Sequence, residues 1–320
     1  MASYLVTGGA GFVASHIIER LIADKHGVVT IDDLSTGYAE NVHPNCEFIK
    51  GRCEDPGVTG KLKGRRFDAI LHLAGQSSGE RSFRDCTDEC CRNVLSTLNL
   101  IKYALDSGTR RFLYASSMAV YGEVLDGPAS ENLTPRPLSV YGVSKLASEN
   151  YLSIYAKHGL EPTCLRLFNT YGIRQDLSNL DQGMISIYLS MAVRQRKISV
   201  KGSLDRFRDY IEVSDMVEIW LKALRSPRAI GKILNAGTGV KTKVADLLTM
   251  LAEYVRAATG WAEIPIEVSG TTLGDVRGNY ADMSLASSVI ELPRFMTVSE
   301  GLRQFVAWAV QLEATKESTP

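Results

Sequence analysis

The chain has no surplus of charge of either sign: its 320 residues carry 36 Lys+Arg against 36 Asp+Glu. Without a broad positive field it lacks the usual grip on a phosphate backbone, so nucleic acid is excluded as a partner. No run approaches the ~18 consecutive apolar residues that a membrane-crossing helix needs. The opening residues 1–6 hold no basic segment and lead straight into a predicted strand, so neither a secretion signal nor a membrane partner is expected, and a cytoplasmic location is. Histidine is scarce, at positions 16, 26, 43, 72 and 158, with no His-x-x-x-His pair, so no metal site is expected. The six cysteines, at 46, 53, 86, 90, 91 and 164, show no Cys-x-x-Cys spacing and read as plain thiols of a reducing compartment. The absence of a Gly-x-x-x-x-Gly-Lys-Ser/Thr loop removes nucleotide hydrolysis, and no repeat or low-complexity tract is present.

What is there is an ordinary globular composition, 45% hydrophobic and 22% charged, with a regular rhythm. Short apolar runs at 4–7, 28–31, 46–50, 69–73, 111–115 and 163–167 predict strands. Amphipathic stretches at 12–23, 88–105 and 140–156 predict helices between them. Strand and helix in alternation specify an α/β fold with a parallel, doubly wound sheet. The rhythm loosens after residue 170: a loop over 172–183, a helix over 184–196, an extended polar segment over 205–215, and helices over 244–258 and 298–313. Residues 1–169 are expected to form a dinucleotide-binding domain, with a returning segment near 205–235. Residues 170–320 are expected to form mostly a smaller α/β substrate domain, with the ligand cleft between the two.

The first strand runs into Gly8-Gly9-Ala10-Gly11-Phe12-Val13-Ala14. Gly9-x-Gly11-x-x-Ala14 between a strand and a helix fits the Rossmann-type fingerprint, with alanine in the third position. The glycines make the tight turn and let a pyrophosphate approach the helix N-terminus. Asp32 ends the second strand where a carboxylate meets ribose hydroxyls. With Asp33 beside it, a 2′-phosphate would be repelled, so NAD is favoured over NADP. Further along, Tyr141 and Lys145 are four residues apart and so share one helical face. A nearby ammonium lowers a phenol's pKa from ~10, which turns Tyr141 into a usable base. Ser117 can hydrogen-bond the same substrate oxygen.

These motifs do not stand alone. Together with His72-Leu73-Ala74-Gly75, Asn93-Val94, Arg166-Leu167-Phe168-Asn169-Thr170-Tyr171-Gly172, Arg208-Asp209-Tyr210 and Asn235-Ala236-Gly237-Thr238-Gly239, they make the sequence resemble the extended short-chain dehydrogenase/reductases, specifically the NAD-dependent nucleotide-sugar epimerases and dehydratases. The resemblance implies that Ser117, Tyr141 and Lys145 are catalytic, Tyr141 taking the sugar O4 proton while C4 gives hydride to NAD. It implies cofactor contacts from Gly8, Gly11, Phe12, Val13, Asp32, Asp33, Cys53, Leu73, Ala74, Gly75, Asn93, Tyr141 and Lys145. It implies substrate contacts from Ser117, Asn169, Arg208, Asp275 and Asn279, a UDP-sugar as substrate, and a homodimer built on the helices near 88–105 and 140–156.

Four departures from the family pattern bear on the reaction. Gly51-Arg52-Cys53 lacks the aspartate that contacts adenine, and Thr272 replaces a second phosphate arginine. Asn279, of modest size, leaves room for an N-acetyl group. The pair after Ser117 is Met118-Ala119, where 4,6-dehydratases carry Asp-Glu, so ordinary 4,6-dehydration is not expected. Two outcomes of C4 oxidation remain, 4-epimerisation and 5,6-dehydration. The chain is similar to the UDP-N-acetylglucosamine 5,6-dehydratases of antibiotic biosynthesis, which tips the expectation towards water loss, with Glu123 as the candidate acid or base. A non-catalytic NAD-binding regulator would be expected to have lost triad members.

Overall fold

The computed structural model describes residues 1–270 and 276–317. Seven parallel strands form the central sheet: β1 (Ser3–Thr7), β2 (Gly27–Asp32), β3 (Glu47–Lys50), β4 (Ala69–His72), β5 (Arg111–Ser117), β6 (Glu161–Leu167) and β7 (Lys232–Ala236). Their spatial order is 3-2-1-4-5-6-7, with the crossover helices covering both faces. Neighbouring residues explain the layering, because successive side chains in a strand point to opposite faces. Leu5, Ile70, Phe112 and Cys164 lie in one core with Leu100, Ile101, Ala104 and Leu152. Val6, Leu71, Leu113 and Leu165 lie in the other with Ile17, Ile18, Ile219 and Trp220. Strands buried on both faces read as continuous apolar runs rather than alternation.

Helices Phe12–Ala23 and Val140–Ala156 fall where the periodicity places them. The expected helix over 88–105 is broken: a short helix Cys86–Cys90 passes into a π-helical stretch Cys91–Leu95 before Ser96–Ser107. The wider turn buries Asn93. The segment 205–215 is not extended throughout. Short strands Phe207–Arg208 and Tyr210–Glu212 give way at once to helix Val213–Arg225, because the Glu212 carboxylate accepts the Ser214 N–H at 2.6 Å and caps it. That helix carries Trp220 into the sheet's core, and β7 completes the sheet's edge.

A third core, beyond the sheet, holds helices Met184–Gln195, Val244–Thr259 and Val298–Glu317, through Leu189, Leu248, Leu251 and Phe305, around Tyr171 and Tyr210. Between the sheet and this third core, at the carboxyl ends of the sheet strands, opens a cleft of about 780 Å³.

Within the sheet domain, the Val140–Ala156 helix is tied to β6 by a buried ion pair. Arg166 donates to both Glu149 oxygens, at 2.9 and 2.7 Å, and lies 4.6 Å from the centre of the Tyr121 ring. Replacing one member leaves the other's charge buried and unmatched. Arg166→Leu is therefore expected to lose about 3–5 kcal/mol, read as a lower urea midpoint with an unchanged slope.

Candidate active site

The cofactor end is built by β1 and its turn. Gly8 has φ +77, and a Cβ there would stand 2.9 Å from the Ala74 backbone nitrogen. At Gly9 a Cβ would meet Thr30 Oγ1 at 2.1 Å. Side chains are thus excluded so that the turn can lie against β2 and the end of β4. Gly11 caps the Phe12–Ala23 helix without a side-chain bond, and no acidic residue occupies the first turn. Gly8, Gly11, Phe12 and Val13 line the cleft, as do Leu73, Ala74 and Gly75 across from them.

Asp32 ends β2 with its carboxylate fixed by two backbone N–H donors, Ala10 at 3.0 Å and Leu34 at 2.8 Å. Burial raises its pKa, these donors oppose the rise, and Asp33 adds to it. Asp33 is held below the usual carboxylate range: burial works against this, but Ser35 and Arg92 outweigh it. Arg92 pairs Asp33 at 3.1 Å and Asp88 at 2.8 Å, and Arg52 pairs Asp88 at 2.9 Å and Glu54 at 2.5 Å. Arg52 stands where the family pattern has aspartate, and its charge is absorbed by this chain of ion pairs along the cleft rim. Cys53 lines the cleft next to it, with burial pushing its thiol up. Asn93 does not line the cleft. It lies behind Gly75, where a Cβ would be 2.3 Å from Asn93 Oδ1, and it donates to the Gln76 carbonyl at 2.9 Å and Ser144 at 3.1 Å.

The central section brings together Ser117 at the end of β5 with Tyr141 and Lys145 on the Val140–Ala156 helix, whose N-cap is Ser139. Lys145 is 4% exposed. Its Nζ donates to the Ala115 carbonyl at 2.9 Å and lies 5.7 Å from the Tyr141 ring centre. Burial pulls the ammonium down to about 8, against the upward pull of Glu89 and Glu149. The lowered phenol expected from the sequence is not what the structure shows. Burial pushes Tyr141 up to about 12, with Ser117 pulling the other way and Glu89 adding to the rise. Desolvation is the largest cause and outweighs the Ser117 hydrogen bond. Met118 and Ala119 form the adjoining wall. Glu123, the expected acid or base, is exposed, accepts the Arg277 N–H at 2.8 Å and does not line the cleft, because the chain turns outward at Gly122 (φ +70).

At the far end, Asn169 donates to the Asp209 carbonyl at 2.9 Å, and Arg208 is buried with bonds to the carbonyls of Phe207 at 2.8 Å and Val276 at 2.8 Å. Asn279 Oδ1 is buried without a hydrogen-bond partner among the described residues. All three line the cleft. Asp275 and Thr272 lie outside the described residues. Sequence reasoning missed Arg206, which is also buried at the cleft and bonds the carbonyls of Ser203 at 2.9 Å and Lys201 at 2.6 Å. The signal was available: residues two apart on a strand share a face, and Arg206 and Arg208 flank Phe207.

The sequence matches the family model described as the NAD dependent epimerase/dehydratase family over residues 4–237. The chain belongs to that family. A UDP-glucose 4-epimerase of Mycolicibacterium smegmatis is 35% identical over 309 residues, 94% of this chain and 96% of the relative. The fold matches the crystal structure of UDP-glucose 4-epimerase with UDP-glucose from Thermotoga maritima, with a TM-score of 0.91 and 31% identity over 97% of this chain and 99% of that one. It also matches UDP-N-acetylglucosamine 4-epimerase from Methanobrevibacter ruminantium M1 in complex with UDP-N-acetylmuramic acid, with a TM-score of 0.88 and 27% identity over 97% and 99% of the two chains.

As a member of this epimerase/dehydratase family the chain uses NAD, and its residues fit that group. The glycine turn leaves backbone exposed to the cleft, Asp32 presents a carboxylate there, and no side chain fills the helix N-terminus. Bound there, NAD would supply a reversible hydride acceptor. If Lys145 must be charged for turnover, its proton is lost as pH rises through about 8, and kcat/KM falls with it. A pH profile bending downward near 8 is expected. A level profile up to the ordinary lysine range of ~10.4 would contradict this role.

Proposed function

We propose that this chain modifies a UDP-N-acetylhexosamine through transient oxidation at C4, and that the outcome is loss of water across C5 and C6 with hydride returned to C4. Tyr141 removes the O4 proton as C4 loses hydride, Ser117 holds the same oxygen, and Lys145 supplies positive charge beneath the phenol. The resulting ketone acidifies the neighbouring C5 proton, which makes the C6 hydroxyl eliminable. Arg208 and Asn169 hold the diphosphate, Arg208 through charge-assisted hydrogen bonds.

The observation that carries the reading is the wall beside this triad. Met118 and Ala119 line the cleft directly after Ser117, and neither transfers a proton. That removes the ordinary 4,6-dehydration while leaving C4 oxidation intact. Asn279 supports an N-acetylated sugar, being small and offering a carbonyl oxygen without a partner among the described residues. The second reading, 4-epimerisation, is favoured by the activities named for the similar proteins. A homodimer is part of the proposal, because Val143, Tyr151 and Ile154 leave one face of the Val140–Ala156 helix apolar and exposed.

Purified protein incubated with UDP-N-acetylglucosamine decides between the outcomes. The proposal expects a product lighter by one water, with no net change in NAD. An unchanged mass with inverted C4 stereochemistry would replace it by the epimerase reading.

A further inference from the structure

Elimination across C5–C6 needs one group to take the C5 proton and supply a proton to the departing C6 oxygen. Tyr141 and Ser117 are committed at O4, Met118 and Ala119 hold no proton, and Glu123 is outside the cleft. Among the described residues, six carboxylates line the cleft: Asp32, Asp33, Glu54, Glu80, Asp176 and Asp181. The first three surround the adenosine end. Asp176 acts on Tyr38, whose N–H bonds the Ala10 carbonyl, and so belongs to the same glycine-turn end. Asp181 is gripped by both terminal nitrogens of Arg84, at 3.1 and 3.2 Å.

Glu80 is different. It lies in the short helix Gly79–Ser82, and Gly79 is so close to Ser139, the N-cap of the helix bearing Tyr141, that a Cβ would meet the Ser139 side chain at 3.8 Å. Its carboxylate approaches Arg84 at 3.7 Å, too long for a hydrogen bond that would occupy its oxygens.

We infer that Glu80 is the acid/base of the elimination, taking the C5 proton of the 4-ketone and handing it to the leaving C6 oxygen. This rests on the dehydration reading above. The balance closes within the site. The C5–H and C6–O bonds break, a C5–C6 double bond forms, and one water departs. The hydride taken from C4 and the proton taken from O4 are then both returned. A single carboxylate can serve both steps because C5 and C6 are adjacent, and its exposure at the cleft mouth gives the water a way out.

The test compares wild type, Glu80→Gln, Glu80→Asp and Asp181→Asn on UDP-N-acetylglucosamine, following product mass together with the near-ultraviolet absorbance of reduced nicotinamide. General acid–base catalysis contributes about a hundredfold or more. The expected result is a fall of that size in water loss for Glu80→Gln, with C4 oxidation still visible as reduced nicotinamide, which also shows that the variant is folded. Glu80→Asp is expected to recover part of the rate, and Asp181→Asn to dehydrate near the wild-type rate. Water loss by Glu80→Gln at the wild-type rate would overturn the assignment, as would an equal loss in Asp181→Asn. A wild-type enzyme that yields only a 4-epimer would instead overturn the dehydration reading itself.

Discussion

A lysine ammonium held away from water is the constraint to which the rest of the site conforms. An ammonium buried as deeply as Lys145 persists only if charge and hydrogen bonds are supplied around it. The Ala115 carbonyl accepts one of its hydrogen bonds, and two buried carboxylates flank it from different elements. Glu149 shares its charge with Arg166. Glu89 instead receives donors from Gln76, Ser144 and Asn93. The π-helical turn at Cys91–Leu95 carries Asn93 within this network. Even His72 obeys the same balance: burial first, and then Lys145, hold its ring down to about 3, so it stays neutral and bonds Thr7 at 2.8 Å. One charge on the catalytic helix thus dictates polar choices on β4, β5 and the Cys86–Ser107 stretch.

The neutral chain shows a second economy. In the proposed reaction two diphosphates, those of NAD and of the nucleotide sugar, are held without a broad positive field, so each cation is individually placed. The turn after β1 offers backbone N–H groups, while Arg206 and Arg208 stand together at the other end of the cleft. Arg52 and Arg92 do not act as free cations. They are locked into ion pairs that steady Asp33 on the rim.

Much of this was legible in the residues. Six of the seven sheet strands carry short apolar runs, and Phe12–Ala23 and Val140–Ala156 carry clear helical periods, so local pattern and tertiary burial agree, while β7 was expected only as part of a returning segment. The helix Val213–Arg225 was hidden because its N-cap is a glutamate inside a polar stretch, which reads as loop. The break at Cys91–Leu95 was hidden because a π-turn changes hydrogen bonding without changing periodicity. The glycine turn, Ser117, Tyr141, Lys145 and Arg208 came from spacing and family pattern, and the structure brings them to one cleft. Glu123 and the phenol's pKa failed for a shared reason. Sequence proximity says that charges are near each other, but only the fold says which are already bonded and how much water remains.

In the proposed reaction, chemistry begins at C4 and the hydride never leaves the cleft. UDP-N-acetylglucosamine labelled with deuterium at C4 tests this most directly, with the position of the label in the product read by nuclear magnetic resonance. Retention of deuterium at C4 is predicted whether the product has lost water or changed configuration, because Tyr141 and the cofactor return what they took. Product carrying hydrogen at C4, with the label lost to solvent or to a second substrate, would contradict it.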